Sequence, residues 1–104
     1  MQHGLDIEEE DDIGFGRSVS LSADGNVVAI GAPGHNSFAG VVRVYEYDGI
    51  WKQFGIDILG DNPGDTFGHV VSLSADGKTL CVGAPQIVTV EQIGFVKIFT
   101  LVDN

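Results

Sequence analysis

The sequence predicts an all-β protein built from two four-stranded antiparallel sheets. Three observations carry that expectation: a long internal duplication, short apolar runs of strand-like pattern, and an excess of glycine. Residues 15–33 read FGRSVSLSADGNVVAIGAP and residues 67–85 read FGHVVSLSADGKTLCVGAP, identical at 12 of 19 positions and 52 residues apart. Self-similarity at a period of about fifty residues marks an architecture that uses one supersecondary unit more than once. The 15 glycines argue for many turns, because glycine is costly inside strands and helices but free where φ is positive. No glycine-free stretch sustains a 3.6-residue period, which nearly excludes helix.

Each copy resolves into strands in order. Val19 and Leu21 alternate with Ser18, Ser20 and Ser22, which predicts a half-buried first strand with the apolar residues on its covered face. Ala23-Asp24-Gly25-Asn26 follows as a tight hairpin turn whose Asp-Gly pair tolerates positive φ. Val27 to Ile30 is continuously apolar, the pattern of a strand covered on both faces. Gly31-Ala32-Pro33 ends it, since proline gives the ladder no N–H and small residues let backbones approach. A third strand is expected over Val41–Tyr47, rich in β-branched and aromatic residues, and after Asp48-Gly49 a fourth over Trp51–Ile58.

The match extends beyond the central block. Residues 40–45 (GVVRVY) pair with residues 94–99 (GFVKIF) after a loop two residues longer in the second copy, and Gln2–Ile7 answers Gln53–Ile58. The chain therefore divides into a first unit over 1–58, with residues 1–7 equivalent to the last strand of a preceding unit, and a second over 59–104 that lacks its last strand. Four antiparallel strands joined by short turns form the meander of a β-propeller blade. The N-terminal strand could fill the gap beside Phe95–Leu101.

Phe15-Gly16 with Gly31-Ala32-Pro33, and Phe67-Gly68 with Gly83-Ala84-Pro85, resemble the FG-GAP repeat of integrin α-subunit propellers and secreted repeat proteins. The Asp48-Gly49-Ile50-Trp51 stretch and Gly64-Asp65 fit the same pattern, and the resemblance spans essentially the whole chain. It implies two propeller-type blades of a larger or assembled propeller, at the cell surface or secreted, used for adhesion or recognition through loops. It also implies a calcium loop between the first two strands, and there the sequence departs from the family. Calcium wants six to eight oxygens with several carboxylates. The first copy offers Ser20, Ser22, Asp24 and then Val28; the second offers Ser72, Ser74, Asp76 and Leu80. One carboxylate per loop is too few, so no cofactor is expected, and Asp24 and Asp76 are read as turn residues accepting backbone N–H bonds.

Five basic against fifteen acidic residues give a formal charge of −10, which repels nucleic acid and anionic membrane surfaces. No apolar run is long enough to span a bilayer, and the first residues lack the basic and apolar regions of a secretory signal. Cys81, alone, is expected buried and inert in its apolar run. Among candidate sites, the acidic run Glu8-Glu9-Glu10-Asp11-Asp12 stands out, replacing the softer Leu59–Asp65. A divalent cation, if one binds, is sought at Glu9, Glu10, Asp11, Asp12, Asp61 and Asp65, against the plainer reading of a solvated charged loop. His3, His35 and His69 show no zinc-like spacing.

Arg43 and Lys97 occupy the same place in the two copies and are expected to pack their stems on the sheet with their heads paired or reaching water, against a reading in which they present a cation toward a central channel. Tyr45, Tyr47, Trp51, Phe54 and Phe99 are expected to fill the space between stacked sheets. No convergent acid, base, nucleophile or cofactor motif supports an enzyme. The expectation is a non-enzymatic module whose loops touch a protein or glycan partner, with His35, Asn36, Ser37, Phe38, Glu91 and Gln92 as contact residues; a structural fragment of a longer repeat protein is the rival. Two such sheets alone leave faces and edges open. Either further units of a longer chain cover them, or several copies assemble, or the pair packs face to face.

Overall fold

A computed structural model describes residues 1–85 and 93–102. The first sheet runs β1 (Ser18–Leu21), β2 (Val27–Ala32), β3 (Val41–Tyr47) and β4 (Trp51–Gln53), with β5 (Ile58–Leu59) also paired to β3. The second sheet runs β6 (Val70–Leu73), β7 (Thr79–Ala84) and β8 (Phe95–Thr100). Every pairing between these strands is antiparallel. Among the described residues the exception to strand and turn is α1 (His35–Phe38), a single helical turn between β2 and β3. None of the described helical structure is long and apolar enough to cross a membrane.

The two hairpins are stapled identically. The Ser22 hydroxyl donates to the Asp24 carboxylate at 2.8 Å and accepts the Val27 N–H at 3.1 Å, while Asp24 accepts the Asn26 N–H at 3.0 Å. Ser74, Asp76, Lys78 and Thr79 repeat these bonds at 2.7, 3.0 and 3.0 Å. Gly25 and Gly77 take φ of 78° and 73°, the positive values the Asp-Gly turn requires. Both aspartates thus serve as the turn residues expected of them. Their carboxyls lie below the usual range, Asp24 chiefly through the Asn26 N–H and Asp76 chiefly through the Ser74 hydroxyl.

The sheets pack face on face. Ala29, Val42 and Val44 of the first meet Val71, Leu80, Val82 and Ala84 of the second, with Phe67 fully buried among them and Phe54, Phe95 and Phe99 at the margin. Backbones touch where the motif glycines cross: a Cβ on Gly31 would overlap the Gly68 carbonyl, which accepts a hydrogen bond from the Ser18 hydroxyl at 2.7 Å. Gly40 and Phe67 form a parallel bridge, and Ser20 accepts the Leu73 N–H at 2.8 Å.

Five expectations change. The alternation in β1 is inverted: Ser18 and Ser20 face the second sheet, while Val19 and Leu21 lie exposed. Short hydroxyl side chains let β1 approach β6 closely enough to bond its backbone, which valine and leucine would prevent. The fourth strand is broken into β4 and β5 by an outward bulge at Phe54–Asp57, where Gly55 takes φ 75°, and the register against β3 shifts by two residues across it. Residues 1–7 form no strand and do not pair with β8; the His3 ring packs on Tyr47 at a tilt of 38° with centroids 3.8 Å apart, and its carbonyl accepts the Trp51 indole N–H at 2.9 Å. Tyr47 and Trp51 therefore hold the N-terminal segment rather than fill the space between sheets, because β4 lies at the edge of its sheet. Cys81 is half-buried, on the face of β7 turned away from the first sheet, which no described strand covers.

Candidate functional site

Charge converges on Arg43, whose β3 position points it away from the second sheet alongside Tyr45. The β4–β5 bulge brings Asp57 beside it, and the guanidinium grips that carboxylate twice, at 2.9 and 3.1 Å. Such a bidentate pair matches the planar fork of arginine to the carboxylate plane. Its remaining terminal nitrogen donates to Asp12 from the N-terminal segment, and the other Asp12 oxygen lies 2.5 Å from His35 Nδ1 at the start of α1. Gln53 also donates to Asp57 at 2.7 Å, and Tyr45 donates to Glu9 at 3.1 Å.

The electrostatics follow from that geometry. Burial would raise the Asp12 carboxyl, but hydrogen bonds from Arg43 and His35 and the arginine charge outweigh it and hold the group below the usual carboxylate range. Asp57 is lowered by its bonds from Arg43 and then Gln53. Burial disfavours the Arg43 charge, yet Asp57 and Asp12 more than offset this and push it upward. Tyr45 is pushed up to about 12, first by burial and then by its bond to Glu9. With both carboxylates engaged, Arg43 is a brace that clamps the N-terminal segment and the bulge onto β3. Among the described residues no hydroxyl or thiol is hydrogen-bonded to His35, so the Asp12–His35 pair activates no nucleophile there. The equivalent Lys97 pairs with Asp61 at 2.6 Å near the surface and sits 5.5 Å from the Phe95 ring centroid. Both cationic heads are thus paired, one of the two arrangements the sequence leaves open.

The carboxylates sought for a cation are scattered. Asp12 is taken by Arg43 and His35, Glu9 by Tyr45, and Asp61 by Lys97; Glu10 and Asp11 are exposed. Asp65 is buried and accepts the Asn62 N–H at 3.2 Å, closing its own turn. Among the described residues no three His, Cys, Asp or Glu side chains converge as a metal site.

Among the described residues the predicted contact loop has the most unusual backbone. Asn36, Ser37 and Phe38 take φ of 51°, 56° and 64°, so α1 is left-handed through three successive non-glycine residues. That conformation is uncommon for a serine and an outlier for a bulky phenylalanine. It is held by its partners across the sheet junction: the Ser37 carbonyl accepts the Gly64 N–H at 3.1 Å, Phe38 that of Thr66 at 2.7 Å, and Ala39 that of Phe67 at 3.1 Å. The side chains of Asn36, Ser37 and Phe38 project into solvent while that of His35 turns in toward Asp12. Glu91 and Gln92 lie outside the described residues. Sequence reasoning missed Asp57 as a partner of Arg43, and Ser22 and Ser74 as staples; only their recurrence at Asp-Gly turns in both copies could have found the serines.

The fold and these contacts define an all-β protein of two stacked antiparallel sheets with an ion-paired brace and one strained, exposed loop. No family model matches the chain, and no curated protein matches it either.

Proposed function

We propose that this chain is a non-enzymatic, FG-GAP-like β-propeller repeat module that recognises a protein or glycan through its α1 loop. The observation that carries this reading is the run of three left-handed, solvent-facing residues, Asn36, Ser37 and Phe38. Conformations of this kind cost about 1–3 kcal/mol each and persist where the surroundings over-determine them; they cluster at active sites, ligand clamps and switch regions. Here the linker 60–67 supplies that constraint through the bonds from Gly64, Thr66 and Phe67. The paired state of Arg43 and Asp12 favours recognition over catalysis, since it leaves a positioned scaffold rather than a reactive group.

The test is a screen of the chain against displayed protein and glycan arrays, followed by Phe38→Ala and Asn36→Ala. The expected result is binding that either substitution weakens at least about tenfold while circular dichroism shows both variants folded. Binding indifferent to both substitutions, or no binding on either array, overturns the proposal.

A further inference from the structure

We propose that a second copy of this chain docks head to tail on the outer face of the second sheet. Sequence equivalence between the two copies says which surfaces meet. In the first sheet, Val42 and Val44 are 0% and 2% exposed because Val71, Leu80 and Val82 of the second sheet cover them. Their counterparts in β8, Val96 and Ile98, are 61% and 70% exposed, and Val70 and Cys81 lie beside them on the same uncovered face. At the other end the imbalance reverses. Val71 is 7% exposed, whereas its counterpart Val19 is 62% exposed, with Leu21 open next to it. The molecule thus has two unlike open apolar surfaces, the β8 face and the β1 part of the first sheet's outer face, whose counterparts are already in contact inside it; the rest of that outer face, Ile30, Ala32, Val41 and Tyr45, is buried within the copy itself.

A glycine supplies a second, independent observation. Gly31 must be glycine because the Gly68 backbone lies against it. Among the described residues its counterpart Gly83 has no such reason: a Cβ there would meet Val70, at 3.4 Å, and its φ is not in the left-handed region. Glycine inside a strand is destabilising relative to alanine. The sequence keeps it where an incoming backbone, the counterpart of Gly68, would cross. That counterpart is Gly16 of the next copy, which has open space around it.

In this arrangement Val96, Ile98 and Cys81 of one copy lie against Val19, Leu21 and the half-buried Val28 of the next. The contact is heterologous, so it propagates into a ring or a filament rather than stopping at a symmetric pair. The acidic segment 8–12 of the incoming copy takes the place that linker 59–66 holds between the two sheets, where Asp61 pairs with Lys97 as Asp12 pairs with Arg43. This surface is separate from the α1 loop, so failure of one proposal leaves the other standing.

Sedimentation velocity over a concentration series tests it with three variants. Wild type is expected to form species larger than a monomer. Ile98→Glu and Val19→Glu alter exposed side chains, so each variant should fold, as near-UV circular dichroism would report, and each alone should be monomeric. Mixed in equal amounts, the two should give a dimer of one each, because each retains the surface the other lacks. Gly83→Ala should weaken association at least about tenfold without lowering the melting temperature. A wild type that stays monomeric at every concentration overturns the proposal. So does a Val19→Glu variant that dimerises alone, which would show the β8 faces pairing with each other, and so does a mixture that stays monomeric.

Discussion

The Asp12 side chain is 6% exposed and touches both the Arg43 guanidinium and the His35 ring. Its carboxyl and that of Asp57 lie below 3.8 in the folded chain and return to that value on unfolding. Just below that pH the folded chain therefore binds fewer protons than the unfolded chain. The resulting stabilisation is complete above about pH 4 and is lost as pH falls through the depressed values. Urea midpoints measured from pH 7 downward should fall below about pH 4, and Asp12→Asn should flatten that fall. The same substitution should cost about 2 kcal/mol at neutral pH, because it leaves Arg43 with one of its two carboxylates in a largely buried place. A pH dependence identical to that of wild type would show that Asp12 does not carry it. Ion pairs of this kind are legible in sequence only by half. Arg43 and Lys97 stand at matched positions among apolar residues and so announce a need for partners, but the partners come from segments 14 to 36 residues away.

Hairpins show the opposite case, where local chemistry suffices. Ser22-Ala23-Asp24-Gly25 and Ser74-Ala75-Asp76-Gly77 carry the same bonds in both sheets, so the turn type is written in four residues and needs no tertiary help. Ser22 is buried by the neighbouring turn, whose Ala75 carbonyl accepts the Ala23 N–H at 2.9 Å; Ser74 has no such cover. Ser22→Ala should therefore cost about 1–2 kcal/mol and Ser74→Ala less, about 0.5–1 kcal/mol, because an unmet buried N–H is penalised more than one that water can reach. Equal losses in chemical denaturation would contradict that ordering. The fourth strand was less legible. Its apolar and aromatic residues fit a continuous run, and only Gly55 hinted at the bulge that carries Asp57 to Arg43.

For the molecule as a whole, alternation in a strand tells which residues share a face but not which face is covered. Val19 and Val71 sit in nearly the same local sequence and meet opposite fates, one exposed and one in the core, because only the second has a sheet laid over it. The same limit explains Cys81, which local apolarity places inside and the end of the stack leaves half open. Strand content, turn positions and the two-sheet division were readable because they depend on neighbours in sequence; the order of layers depends on what lies beyond them. The seam between loop and linker has a further consequence. Amides of Gly60, Gly64, Thr66 and Phe67 all donate to carbonyls of residues 37–40, and the Gly31–Gly68 crossing leaves no room for the sheets to slide. Separation must break the whole seam at once, so these amides and those of β2 and β7 should exchange with solvent through one shared opening. Native-state hydrogen exchange would then return a single opening free energy for them, and two groups differing by more than about 1 kcal/mol would instead mark sheets that open independently.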